Sequence, residues 1–182
     1  YGETSGHDVN LQVGRHAMIG RDFGVAIEAL LKSAENSWNR RHSDELTEAS
    51  RLAVEACYRS PQIADRTGWA NLWRGRAHEL RGESDKASQF FVDAATYFQG
   101  HGDDEGLALS QIGDAWAQMQ MGKLDHADHL YGQGLALGRD LKDQRIEVLA
   151  VRGRAWLEQQ KRNFDGAEIL FTRAANWSAK QD

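Results

Sequence analysis

Two residue markers recur along this chain with one period, and that period limits the possible folds more than any other feature. Alanines stand at Ala49, Ala87, Ala127 and Ala167, spaced 38, 40 and 40 residues apart. Large rings stand upstream of them at Trp38, His78, Trp116 and Trp156, spaced 40, 38 and 40. The interval from ring to alanine is eleven residues in three of the four units and nine in the second. A period of this length means that one structural unit is copied along the chain, each copy burying its apolar face on its neighbour.

The unit is helical. Segment 84–99 places Ala87, Phe90, Phe91, Ala94, Ala95 and Phe98 at steps of three and four, which is one face of a helix. There is a single proline, Pro61, and no period-two runs, so strands find no support. Three units share a glycine–any–alanine–ring pattern: Gly75 to His78, Gly113 to Trp116 and Gly153 to Trp156. Short connectors follow at Arg81–Ser84, Met121–Leu124 and Arg162–Asp165. Each leads to the repeat alanine, then to a ring four residues on (Phe91, Tyr131, Phe171) and a small residue (Ala94, Gly134, Ala174). Small residues let antiparallel helices approach closely, while a ring fills the gap to the next hairpin.

These residues resemble the tetratricopeptide repeat, most strongly over 68–179 and more loosely from residue 24. The family's usual unit is about 34 residues; the longer unit here is similar to arrays found in bacterial signalling and regulatory proteins. The first unit departs from the pattern, with Glu35 where the glycine should stand. The resemblance implies an all-α fold, a right-handed superhelical stack of antiparallel helical hairpins. Hairpins are predicted at about 24–59, 66–99, 104–139 and 143–179, within one continuous domain over 24–182. A capping or leftover helix is expected at 9–20, within a segment 9–23, behind a disordered or linker stretch at 1–8. The chain opens on Tyr1 without an initiator Met, which we read as a fragment or a processed chain.

Composition excludes several functions. With 22 basic and 27 acidic residues the formal charge is −5. Nucleic-acid binding rests on clustered Lys and Arg, and no basic stripe runs through this sequence. One cysteine, Cys57, allows no internal disulfide. No run approaches the roughly 18 apolar residues that span a bilayer, so a cytoplasmic protein without membrane insertion is expected. Catalytic patterns are missing as well. His126 and His129 lack the third ligand of a metal site, and Asp103, Asp104 and Glu105 suit a helix start better than a cation loop. Gly132 and Gly134 have no preceding strand for a phosphate loop. Cys57 lacks an evident base. No enzyme activity, metal or cofactor is expected.

The register assigns Trp38, Trp116 and Trp156 to the core, Trp177 is expected either as a C-terminal stopper or as cover for a further unit, and Trp73 is the aromatic candidate for a partner. In the family the first helix of each hairpin lines the concave face. Carried onto this sequence, that face comprises Lys32, Asn36 and Asn39, then Trp73 and Arg76, then Gln111, Asp114 and Gln118, then Arg154 and Glu158. Such a polar groove fits a protein or peptide partner. The subgroup that grips a C-terminal carboxylate is not matched. Lys32 and Asn36 agree with it, but Trp73, Leu107 and Gln111 replace its remaining donors. Two functions follow: a protein-interaction scaffold, or a sensing module whose output domain lies outside the chain. Self-association through the ends of the stack is a further expectation.

Overall fold

A computed structural model describes residues 8–178, without the side chain of Ser178. The expected linker, apart from Asp8, and residues 179–182 of the expected domain lie outside the described residues. Within them the chain is helical from end to end. The helices are α1 (Val9–Gly20), α2 (Phe23–Asn39), α3 (Ser43–Arg59), α4 (Thr67–Leu80) and α5 (Ser84–His101). They continue with α6 (Asp104–Gln120), α7 (Leu124–Asp140), α8 (Gln144–Gln160) and α9 (Phe164–Ser178). A 3-10 segment, Pro61–Arg66, links α3 to α4.

The turns are more regular than the sequence suggests. A left-handed residue closes seven of the helices: Arg21, Arg41, Gly82, Gly102, Gly122, Lys142 and Arg162, with φ between 55° and 78°. From Gly82 onward it returns every twenty residues, as it does from Arg21 to Arg41. The residue after it donates its N–H to a carbonyl of the last helical turn: Asp22 to Ala17, His42 to Ser37, Asp103 to Phe98 and Asp143 to Gly138, at 2.8–3.0 Å. This is the Schellman closure, which satisfies carbonyls the helix leaves open. That same residue then starts the next helix. The side chains of Asp22, Asp103, Asp143 and Asn163 each accept N–H bonds of the following turn. One link therefore costs only two or three residues. Four of the seven left-handed positions carry Arg or Lys rather than Gly, and a cation at a helix C-terminus offsets part of the backbone strain. The link from α3 to α4 is the exception: Ser60 is extended, Pro61 follows, and one extra residue enters the period.

The chain divides into two compact units, residues 1–83 and 84–182. In the first, α1 packs on α2 and α3, α2 on α3 and α4, and the 3-10 segment rests on α2, α3 and α4. Its core joins Leu11 and Met18 of α1 to Ile27, Leu30 and Ala34 of α2, Leu46 and Ala53 of α3, and Ala70 and Ala77 of α4. Arg15 of α1 binds both carboxylate oxygens of Glu48 in α3. Asp8, buried at the start of α1, accepts from Ser33 Oγ of α2 at 2.9 Å.

In the second unit consecutive helices pack in order from α5 to α9, and α6 also packs on α8. The glycine of the repeat pattern explains itself here. A Cβ on Gly113 of α6 would lie 2.6 Å from Cε1 of Phe91 in α5, and one on Gly153 of α8 would strike Tyr131 of α7. The ring of one second helix is thus seated on the glycine of the next first helix. A second contact inverts the sizes. Phe98 of α5 covers Gly106 of α6, whereas forty residues on Gly138 of α7 faces Ile146 of α8. Large meets small in both cases, with the bulk on opposite helices.

The tryptophans need a correction. Trp38 and Trp116 are only partly buried against their cores, and Trp156 is 44% exposed. The rings that fill the core are Phe91, Phe98 and Tyr131 instead. Trp156 keeps an edge-to-face contact with Phe171, centroids 5.2 Å apart, because no further helix among the described residues lies over that face of α8.

Candidate partner-binding surface

First helices of successive hairpins lie side by side inside each unit, α2 against α4 and α6 against α8. In the first unit Lys32 and Asn39 are exposed and Asn36 is half-buried on α2. Trp73 packs against the core of that unit. Arg76, whose side chain is 12% exposed, bonds to Glu79 at 2.7 Å. Its guanidinium also lies 4.9 Å from the centroid of the Trp38 ring, with Arg41 at 5.0 Å. Desolvation makes such cation–aromatic contacts stronger than those on an open surface. Arg76 is therefore a braced group, and the Trp38 ring is contacted by two arginines.

In the second unit the residues following the repeat markers pair across helices. Ser88 stands after the alanine of α5, and Asp114 after the glycine of α6; Ser88 Oγ donates to Asp114 Oδ1 at 2.6 Å. Forty residues later Asp128 of α7 and Arg154 of α8 occupy the same two places, and Arg154 Nε donates to Asp128 Oδ1 at 3.0 Å. Lys161 approaches Asp128 and Glu158, at 4.0 and 3.6 Å, and Glu158 accepts from Asn163 at 2.6 Å. Gln118 Nε2 donates to Ser88 Oγ at 2.9 Å and to Asp114 Oδ1 at 3.0 Å. Asp114 and Gln118 are 5% and 7% exposed. Gln111 lies one turn before Asp114, half-buried, with its carbonyl oxygen enclosed.

The structure thus joins Asp114 to Gln118, and Arg76 to Trp38. Ser88 and Asp128 were missed in the sequence reading. Their signal was the register: each follows a repeat alanine, 26 residues before the polar residue that follows a repeat glycine.

Groups suited to chemistry stand apart from one another. His126 and His129 are exposed on α7, and Asp103 caps α6 through the N–H of Gly106 at 2.8 Å. Burial pushes the Cys57 thiol up, and its sulfur faces the Ile63 carbonyl at 3.8 Å. Among the described residues no three His, Cys, Asp or Glu side chains gather in a way that would hold a metal ion. No helix among them is long and apolar enough to cross a membrane.

No family model matches the chain, and no curated protein matches it in sequence. It is similar in structure to the crystal structure of the apo form of RapI, with a TM-score of 0.66 at 12% identity. The match covers 95% of this chain and 54% of that one, so the chain spans about half the length of that structure. The similarity shows the fold, a tetratricopeptide-like helical repeat.

Proposed function

We propose that this chain is a non-enzymatic, cytoplasmic interaction scaffold that takes a peptide or protein along the exposed sides of its first helices. The observation that carries the reading is the polar row on α6 and α8. Gln111, Asp114, Gln118, Arg154 and Glu158 stand on neighbouring helices, at positions where a helix serving packing alone would carry apolar groups. A mixed row of amides and charges suits hydrogen bonding to the backbone and side chains of an extended or helical partner. The rings that make the core, Phe91, Phe98 and Tyr131, lie elsewhere.

Capture from the native host tests it. A tagged chain carrying Arg154→Gln and Gln111→Ala together should recover a specific partner at least about tenfold less well than the parent, since hot-spot contacts dominate such interfaces. The thermal unfolding of the variant should stay close to that of the parent. Equal recovery by both chains would place the contact on another surface.

A further inference from the structure

The pair formed by Ser88 and Asp114 lacks what its repeat partner has. Asp128 meets a guanidinium from its own chain, Arg154. Asp114, at the equivalent contact, is more deeply buried and is met by neutral donors alone. Ser88 Oγ and Gln118 Nε2 both bond to the same oxygen, Oδ1. Oδ2 accepts no hydrogen bond among the described residues, and no Lys, Arg or His pairs with it. A carboxylate withdrawn this far from water without a cation is costly, unless something supplies the charge.

Two further oxygens point to the same deficit. Gln118 spends both amide hydrogens on Ser88 and Asp114, which fixes the amide's orientation. Its Oε1 is left buried and accepts from no donor, and Gln111 Oε1 is in the same condition. Residues 111, 114 and 118 fall at i, i+3 and i+7 on α6, a single stripe of the helix. That stripe offers three open acceptors and one negative charge, and its unspent donors are confined to the Gln111 amide. A hydroxyl or an amide would bring an acceptor along with its donor. An ammonium or a guanidinium is donor-only and stays positive at neutral pH, and one repeat later a guanidinium meets the carboxylate at the equivalent helix contact.

From this juxtaposition of Gln111, Asp114 and Gln118 we infer that α6 carries a receptor for a basic side chain, arginine or lysine, of a bound peptide. The inference rests on the scaffold reading and names the chemistry that the partner must bring to α6. The side chain would enter over Asp114 Oδ2 and supply the positive charge that Arg154 supplies to Asp128 one repeat later.

The probes are N-acetyl-arginine amide, N-acetyl-lysine amide and the neutral N-acetyl-citrulline amide, titrated into the 15N-labelled chain. The side-chain amide resonances of Gln111 and Gln118 should shift saturably with arginine or lysine, and the stronger of the two identifies the side chain. Citrulline should bind at least about tenfold more weakly, because it cannot form a charge-assisted bond. Asp114→Asn should abolish saturation while it keeps an acceptor for Ser88. If that variant loses its folded spectrum, Gln111→Leu reads the same site and should weaken arginine binding severalfold. Absence of a saturable shift with both cations would overturn the inference, as would equal binding of citrulline or full binding by a folded Asp114→Asn chain. A structural water on Gln118 would give that negative result. Such a failure is separable from failure of the scaffold reading, which is judged by partner capture and needs none of these probes.

Discussion

At the scale of the residue, the chain is governed by what can stand opposite a ring. Gly113 is obligatory because Phe91 occupies the space of its side chain. Gly113→Ala should destabilise the protein by about 1–3 kcal/mol, the usual cost of overpacking a closed core, as measured by denaturant unfolding. Adding Phe91→Leu to Gly113→Ala should recover part of the loss, since a smaller side chain vacates the site. Purely additive losses in the double variant would show that the two residues are not coupled. Position alone does not decide burial, and the tryptophans illustrate this. Their register is shared, yet Trp156 is exposed where Trp116 is partly covered, because coverage depends on a neighbour that sequence periodicity does not reveal.

At the scale of the element, seven of the helices end at one left-handed residue, and the residue after it caps the next helix through its side chain at Asp22, Asp103, Asp143 and Asn163. Asp143 is the best-equipped cap. A hydrogen bond from the Arg145 side chain holds its carboxyl below the usual range, aided by the N–H groups of Arg145 and Ile146, while burial opposes the shift. A carboxyl depressed in the folded state stabilises it fully above the ordinary carboxylate value of about 4, and the benefit fades as pH falls through the folded value. Asp143→Asn retains a capping oxygen but does not titrate. It should cost up to about 1 kcal/mol at neutral pH, a modest figure because Arg145 is largely solvated. The cost should shrink toward zero in unfolding curves taken at progressively lower pH; a constant deficit would show that charge plays no part. The helices themselves were legible from the three- and four-residue spacing around Ala87, Phe91 and Ala94. The left-handed closures at Arg21, Arg41, Lys142 and Arg162 were not, because a basic side chain gives no local sign of positive φ.

At the scale of the whole molecule, the fold class was readable from the repeat markers, whereas the division into two compact units was not. Nothing in the composition changes at residue 83, and the boundary reflects how contacts are shared among helices. The second unit holds a complete set of ring-on-glycine contacts from Phe91 to Gly153. Expressed alone, residues 84–182 should therefore be helical by circular dichroism and unfold cooperatively; a chain without a melting transition would mean that this core needs the first unit. The candidate surface was legible as a row of polar positions on first helices. Its partners on second helices, Ser88 and Asp128, became visible only when the helices were set beside one another.

The inverted sizes at Phe98–Gly106 and Gly138–Ile146 have a consequence for how such a gene can change. Tandem copies invite unequal crossing-over, which removes one whole period at a time. Loss of residues 104–143 would leave the twenty-residue spacing of the turns intact, and the helices would still meet in register. It would also bring Phe98 against Ile146, two bulky groups where every surviving contact sets large on small. These hairpins share a plan but are not interchangeable parts, so packing itself restrains the number of copies.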